Sequence, residues 1–462
     1  MPHRSITTAR RLALSALFVA SGCAPDGRTT PNVVLVVVDA LRQDRVGFLG
    51  ADRPTTPFLD RLAEESAVFE RAHAQGSATF ASTASLFSGH WAPLLAPPPA
   101  ALPEGELEPE ERRRHRLVPA LAAQEHTLAE LLSEAGYATM AVFTNPHHHS
   151  RSGFWQGFEE TRYLPPDPGT AYARASSVHG AFFDWLDGRG HEGPFFAYLH
   201  LMDPHAPYRP PRVFRRLFVG EDEGGGDPSA GSPRGAGETD SAGLELLSQL
   251  YDAEVRFTDG VLRDLVADLR AQVQEPTVLV LTADHGEELM DHGGLGHGRT
   301  LHGELLRVPL LLHGPTVPAV RVSALVRNLD LVPTILELTG TPVPPELDGE
   351  SLLPLLREPP AATNRTSFAR EASLRSLTTE RWHFVFNLHD DSVALFDLER
   401  DPEESRNLSQ ARPDLVGRFR DVLLDQLRRE DERRARAGSL TGAGPPDARA
   451  LEQLRSLGYL GD

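Results

Sequence analysis

The chain is 462 residues long, with 46 basic and 65 acidic residues and a net charge of −19. That length supports a large core in one large or two ordinary domains, and the acidity argues against a nucleic-acid partner, which wants a basic face. Every basic residue is arginine, so no lysine serves as charge clamp, general base or Schiff-base former.

The first element is a leader. Arg4, Arg10 and Arg11 precede a short apolar run, 12–20, and then Ala20-Ser21-Gly22-Cys23. The run is too short to span a bilayer. The pattern predicts a signal peptide over 1–23 whose end resembles a bacterial lipobox, with Cys23 as the acylated residue. An ordinary secretory signal with an incidental cysteine is the alternative. The expected location is the cell envelope, with a soluble domain tethered to the membrane surface without spanning it. Cys23 is the only cysteine, which excludes an intrachain disulfide.

The run 33–38, VVLVVV, is apolar at every position and stops at Asp39. It reads as a strand buried on both faces, as in a parallel sheet. Residues 55–67 predict a helix with Pro57 near its start and Phe58, Leu59 and Leu62 on one face. Residues 128–134 predict another, ended by Gly136. Strands are predicted over 139–143, 195–201, 278–281 and 308–312. The first three run into Asn145 and His147, into Asp203-Pro204-His205, and into Asp284-His285-Gly286. Segments 97–119 and 220–243, the second of low complexity, read as surface insertions. Residues 373–398 alternate and predict a short antiparallel sheet, and 413–436 a charged helix.

Alternating strands and helices argue for an α/β fold: a large, mostly parallel sheet flanked by helices, with a small C-terminal α+β subdomain. The expected boundaries are 31–356 for the main domain and 357–462 for the subdomain. In open α/β sheets the site lies outside the carboxyl ends of the strands. Asp39, Asn145, His205, Asp284 and His285 would therefore converge on one rim.

A carboxylate and an imidazole side by side at a strand end, followed by glycine, suit a divalent metal. Taken alone, Asp284-His285-Gly286-Glu287 reads equally as a capped helix start. The acidic strand end at Asp39 tips the balance to metal. His292, His297 and His302 follow in a glycine-rich loop; protonated they would hold an oxyanion, and neutral they would bind an ion.

These segments, in their order, resemble the sulfatase family of the alkaline phosphatase superfamily. The resemblance runs through 32–39, 56–63 (TPFLDRLA), 84–89 (ASLFSG), 203–208 (DPHAPY) and 284–287 (DHGE). It continues through Arg307-Val308-Pro309, 348–352 (DGESL) and 395–408, to 457–459, and so covers about residues 31 to 460. It implies that Asp39, Asp284 and His285 hold one divalent ion (Ca, Mn or Zn), that His205 sits near the leaving group, and that His147 and His297 stand near positions of catalytic lysines.

The departures are equally informative. Sulfatases oxidise a Cys or Ser to formylglycine in the pattern Cys/Ser-x-Pro/Ala-x-Arg. Thr79 stands at the modified position, Ala81 at the Pro and Thr83 at the Arg, so no formylglycine is expected. The frequent second Asp is Ala40. An unmodified Thr nucleophile that also contacts the metal is the superfamily's simpler site, and the expected reaction is cleavage or transfer at a phosphate, phosphonate or sulfate ester. The expected partners are an anionic ester (glycan, lipid head group or small molecule) and, through Cys23, a membrane surface. For Thr79 by itself, a helix cap is the competing role. For the whole chain, the competing reading is a degenerate surface lipoprotein that binds an anionic glycan without turnover.

Overall fold

The computed structural model describes residues 30–96, 120–190, 193–220, 241–358, 364–442 and 448–457. The expected leader with Cys23, the insertion 97–119, and most of both the second insertion and the closing segment lie outside them.

Eight strands form the main sheet: β1 (Asn32–Val38), β2 (Ala67–His73), β3 (Ala138–Phe143), β4 (Glu160–Tyr163), β5 (Phe195–Leu201), β6 (Thr277–Ala283), β7 (Arg307–His313) and β8 (Val320–Arg327). Their order is β8-β2-β7-β6-β1-β5-β3-β4. β1 runs parallel to both neighbours, β5 and β6. β7 alone runs antiparallel, against β6 and β2. The central position of β1 explains its composition. All seven residues are buried, so no position along it can be polar without a partner.

Helices cover the sheet: α1 (Pro57–Ala63), α2 (Thr79–Ser88), α3 (Leu128–Glu134), α4 (Ala175–Arg189), α5 (Ser241–Gln272) and α6 (Leu331–Thr339). Thr127 starts α3 with a reciprocal capping box to Glu130. A four-stranded antiparallel sheet, β9 (Ser367–Glu371), β10 (Leu374–Thr378), β11 (Trp382–Asn387) and β12 (Val393–Asp397), follows. It packs Leu377, Phe384, Phe386 and Leu395 against Leu415 and Leu423 of α7 (Pro413–Ala437) in a small core of its own.

Four sequence expectations need correction. The helix expected over 55–67 is only Pro57–Ala63, and residue 67 instead opens β2. β2 carries Glu70 and Arg71 half-buried in its middle, which hid it from an apolar-run criterion. The insertion 220–243 ends early, because 241–243 already belong to α5. The C-terminal sheet starts before 373, at Ser367.

Candidate active site

Three strand ends and one helix start meet. β1 ends at Asp39 and β6 at Asp284-His285, and the two strands pair in register, Val38 beside Ala283. That pairing alone places the two acidic residues next to each other. A ligand atom from each of Asp39, Asp284 and His285 lies within 4.8 Å of the others. His285 Nε2 is 3.6 Å from Asp39 Oδ1 and 3.6 Å from Asp284 Oδ2. All three side chains are fully buried, and Asp39 Oδ1 and Asp284 Oδ2 have no hydrogen-bond partner among the described residues. Two orphaned carboxylate oxygens facing one imidazole nitrogen in the dark of a core are costly unless a cation sits between them. The donor set of two oxygens and one nitrogen suits a divalent ion.

The surroundings orient these ligands. Asp284 Oδ1 accepts from the backbone N–H groups of Ala40 (3.3 Å) and His285 (2.9 Å), leaving Oδ2 free. Ala40, where the family often has a second Asp, is held at φ 58° and its carbonyl accepts from Tyr251 Oη at 2.7 Å. A non-glycine residue in the left-handed region is strained, and such strain gathers at functional sites. His285 Nδ1 lies 2.8 Å from the Gly286 carbonyl, which can only accept. The Nδ1–H tautomer is therefore fixed, and the Nε2 lone pair faces the carboxylates.

Thr79 is the first residue of α2, and Ala78 holds the cap position with no side-chain cap bond. Thr79 is thus not a cap. Its Oγ1 lies 3.2 Å from His285 Nε2 and 3.4 Å from Asp39 Oδ2, and accepts from Asn145 Nδ2 at 3.2 Å. Other hydroxyls of the 76–89 segment bind backbone: Ser82 the Asp284 carbonyl, Thr83 the Thr79 carbonyl, Ser85 that of Trp91 and Ser88 that of Ala84. Ser77 Oγ is buried and has no partner among the described residues.

A row of imidazoles continues from His285. The His297 ring centroid lies 4.4 Å from that of His285 and 4.9 Å from that of His205. His297 Nδ1 pairs with Glu287 Oε1 at 2.9 Å, and Glu287 Oε2 accepts from Tyr208 Oη at 3.0 Å. His205 Nδ1 lies 2.5 Å from the Ala206 carbonyl. His147 donates its backbone N–H to Asn145 Oδ1. Burial first, and then the neighbouring imidazoles, hold its pKa down to about 3. It is a neutral ring that offers no charge. Burial also lowers His205, against the pull of Glu287. Burial, followed by the charge of Asp284, raises Asp39.

The structure separates the three histidines of the glycine-rich loop. Only His297 joins the site. His292 and His302 stack on each other, with centroids 3.7 Å apart, and bind Glu304 and Glu404 respectively. They fasten that loop to the C-terminal region. His200, which sequence reasoning passed over, sits under the site with Nε2 3.7 Å from Asp39 Oδ2. Its place inside an apolar strand gave no signal. Among the described residues no arginine bonds Thr79, Asp39, Asp284 or His285; Arg42, the nearby candidate, is spent on Asp44, Asp291 and the Glu287 carbonyl.

Comparison with known proteins gives the family and the fold. The family model described as Sulfatase matches residues 31–341, and one described as N-sulphoglucosamine sulphohydrolase, C-terminal, matches 291–429. Arylsulfatase K of Mus musculus is 30% identical over 190 residues, which cover 37% of this chain and 34% of that protein. The chain therefore spans about a third of that relative's length in the match. Arylsulfatase K of Gallus gallus is 24% identical over 475 residues, covering 88% and 84%. Among solved structures, one bound to its substrate D-glucosamine-2-N,6-O-disulfate superposes with a TM-score of 0.68 at 18% identity, covering 87% of this chain and 99% of that one. The phosphonate monoester hydrolase of Agrobacterium radiobacter gives 0.65 at 19%, covering 87% and 96%. These likenesses establish the fold.

Proposed function

The chain belongs to the sulfatase family, and from that premise we propose that it is a metal-dependent hydrolase or transferase of phosphate, phosphonate or sulfate esters with Thr79 as its nucleophile. One observation carries the reading. Thr79 Oγ1 stands 3.2 Å from His285 Nε2 and 3.4 Å from Asp39 Oδ2, at a helix start whose cap residue, Ala78, makes no side-chain cap bond. Asp39, Asp284 and His285 would hold one divalent ion. When bound, the ion supplies Lewis-acid stabilisation of negative charge on the nucleophile and the ester oxygens.

The residues of the chain do the rest. Asn145 Nδ2 and Asp39 Oδ2 orient the Thr79 hydroxyl, with its proton directed at Asp39. Thr79 Oγ1 passes its proton to Asp39 Oδ2 and bonds to phosphorus as the bond from phosphorus to the leaving oxygen breaks, and Asp39 returns that proton when Thr79 is released. The uncapped amides at the start of α2 receive the equatorial oxygens. His205 Nε2 exchanges the proton. The charge of a bound anion would favour the imidazolium that burial disfavours; in that form His205 donates to the departing oxygen, and as neutral imidazole it takes a proton from the water or alcohol that then relieves the phosphothreonine. His297, held by Glu287, completes the wall. Phosphorus esters rank above sulfate monoesters, because a plain threonine sulfate is hard to turn over without formylglycine.

A second reading has one observation in its favour. Thr83, at the family's Arg position, is bonded to the Thr79 carbonyl and to His148 Nε2, so no cation replaces the lost arginine there. That fits a chain that binds an anionic glycan and does not turn it over. A side-by-side assay with Mn²⁺, Zn²⁺ or Ca²⁺ on aryl phosphodiesters, phosphonate monoesters and aryl sulfates decides. Turnover lost in Thr79→Ala and largely kept in Thr79→Ser supports the enzyme. Equal turnover in Thr79→Ala removes Thr79 from the mechanism, and none with any metal favours the binder. We also propose export and anchoring through Cys23, on its sequence context alone; Cys23→Ser should release the protein from the membrane fraction, and wild type already soluble would end that idea.

A further inference from the structure

We infer that the short helix Arg212–Phe218 docks the chain on a phospholipid surface that carries anionic head groups. The inference extends the anchoring through Cys23 proposed above, and its access to a surface rests on that reading. The helix, RVFRRLF, follows Pro210-Pro211. At 3.6 residues per turn, positions 212, 213, 216 and 217 share one face and positions 214 and 218 the opposite one. Phe214 points inward. Its ring meets that of Phe257 on α5 edge to face, with centroids 5.4 Å apart, and lies over Gly260.

The outward face is both apolar and cationic. Val213 is 70% exposed and Leu217 60%, the two highest values among the exposed large hydrophobics. A helix that only covers a core puts polar residues at such positions. Arg212 and Arg216 stand on the same face, Arg215 flanks it, and Arg209 is exposed just before the helix. None of these four guanidinium groups bonds an acid among the described residues. Elsewhere the arginines near acids are spent on them: Arg45 and Arg53 share Asp252, and Arg174 bridges Asp203 and Glu254. In a chain of net charge −19, this is a cationic patch set in an acidic surface. Beside Leu217 and Phe218 opens a recess of about 470 Å³, walled by Pro54 and Pro57 and rimmed by Arg53 and Arg256. It extends the apolar surface past the helix and adds no acidic residue.

Exposed aliphatic side chains with arginines alongside suit the boundary between lipid head groups and acyl chains. The aliphatics enter it, and the arginines pair with lipid phosphates. A soluble polyanion would satisfy the arginines and leave Val213 and Leu217 in water, so the lipid surface fits both halves of the face. Two aliphatic side chains bind weakly alone, and a tether raises their effective concentration at the surface. The tether is long enough. Phe257 lies about 22 Å along α5 from Gln272, and near that end Asn32 N–H donates to the Pro276 carbonyl at 2.8 Å. The stretch from Cys23 to Asn32 spans at most about 30 Å.

The test uses the chain's single cysteine. With Cys23→Ser as background, Leu217→Cys in the full-length protein offers one thiol for a polarity-sensitive fluorophore. Its emission should shift to the blue on mixed phosphatidylcholine–phosphatidylglycerol vesicles, stay unshifted on phosphatidylcholine alone, and return when salt is raised. The same label at Val343→Cys, another exposed aliphatic site, should not respond. Arg212→Gln, Arg215→Gln and Arg216→Gln together should lower vesicle affinity about 100-fold, at about fivefold per arginine. No shift at Leu217→Cys, an equal shift at Val343→Cys, or a vesicle affinity unmoved by the arginine changes overturns the docking face. The same blue shift with dextran sulfate in solution overturns the lipid assignment in favour of a soluble polyanion. The two readings fail separately. Wild type absent from the membrane fraction, with a label that responds, ends only the anchor. Wild type in the membrane fraction, with a silent label, ends only the helix face.

Discussion

Asn145 Nδ2 donates to Asp39 Oδ2 at 2.7 Å. The same amide reaches Thr79 Oγ1 at 3.2 Å, so one side chain sets both the carboxylate proposed to face the metal and the proposed nucleophile. Asn145→Ala should lower Mn²⁺ affinity by about 10- to 100-fold, the usual cost of losing an outer-shell partner. kcat/KM should fall by at least as much, because Thr79 loses its orientation too. Metal titration beside kinetics checks this. Unchanged affinity would mean that Asp39 is held without Asn145.

Gly286 follows His285, and a Cβ built there would stand 1.9 Å from the Glu304 carbonyl oxygen and 3.3 Å from Leu305 Cα. Its N–H donates to the Leu305 carbonyl at 2.8 Å. Backbone against backbone cannot be relieved by a rotamer change. Gly286→Ala should therefore push the 284–287 loop off 303–306, costing about 1 to 3 kcal/mol or more, and should misalign His285 enough to weaken metal binding. Gly417→Ala, with nothing within 4 Å of its Cβ on helix α7, is the control. It should be neutral or slightly stabilising. Equal melting temperatures for Gly286→Ala and wild type would contradict the close approach.

Much of this site was legible in the sequence because strand ends in a parallel sheet are read one at a time and still meet. Asp39, Asn145, His205 and Asp284 each follow an apolar run, and the fold brings the runs side by side. The parts that stayed hidden lack that signature. His200 is inside its strand, where an imidazole is indistinguishable from any tolerated polar residue until its neighbours are known. β2 carries charge at its centre because its partly buried middle tolerates it. The roles of His292 and His302 were masked for another reason. His302 meets Glu404 and His292 meets the Glu403 carbonyl, each about a hundred residues away in the chain, and no local pattern announces them.

Acid should destabilise the fold through histidines that are buried neutral. His73, at the end of β2, has its pKa held down to about 3, by burial first and then by the Arg307 charge. In the unfolded chain it titrates near 6.5. Between those values the unfolded state binds a proton that the folded state refuses, so stability rises with pH and is lost as pH falls from about 6.5 toward 3. Each such group contributes a slope of up to about 1.4 kcal/mol per pH unit. Denaturant titrations from pH 4 to 8 should give a steep acid limb for wild type and a shallower one for His73→Gln. Parallel limbs would show that His73 is protonated, or solvated, in the folded state.

Arg174 is the remaining structural wager. Its Nη1 lies 2.7 Å from Asp203 Oδ1 and 3.0 Å from Glu254 Oε2, and both carboxylate side chains are fully buried. Asp203 Oδ2 also accepts the Ala175 N–H at the start of α4, and Glu254 Oε1 accepts the Arg209 N–H. Burial raises both acids, and the arginine charge opposes that rise. One cation thus balances two carboxylates on either side of the loop that carries His205. Arg174→Met keeps the volume and removes the charge, leaving two like charges to be neutralised in the core. The expected loss is about 3 to 5 kcal/mol, the cost of breaking a buried pair and not the net worth of having it. Adding Asp203→Asn and Glu254→Gln to Arg174→Met removes the stranded charges and should recover a large part of that loss, since the amides keep most of the backbone contacts. Chemical denaturation of the single, double and triple variants measures the coupling. If Arg174→Met alone costs less than about 1 kcal/mol, the two acids are already protonated or solvated, and Arg174 is not what holds the His205 loop in place.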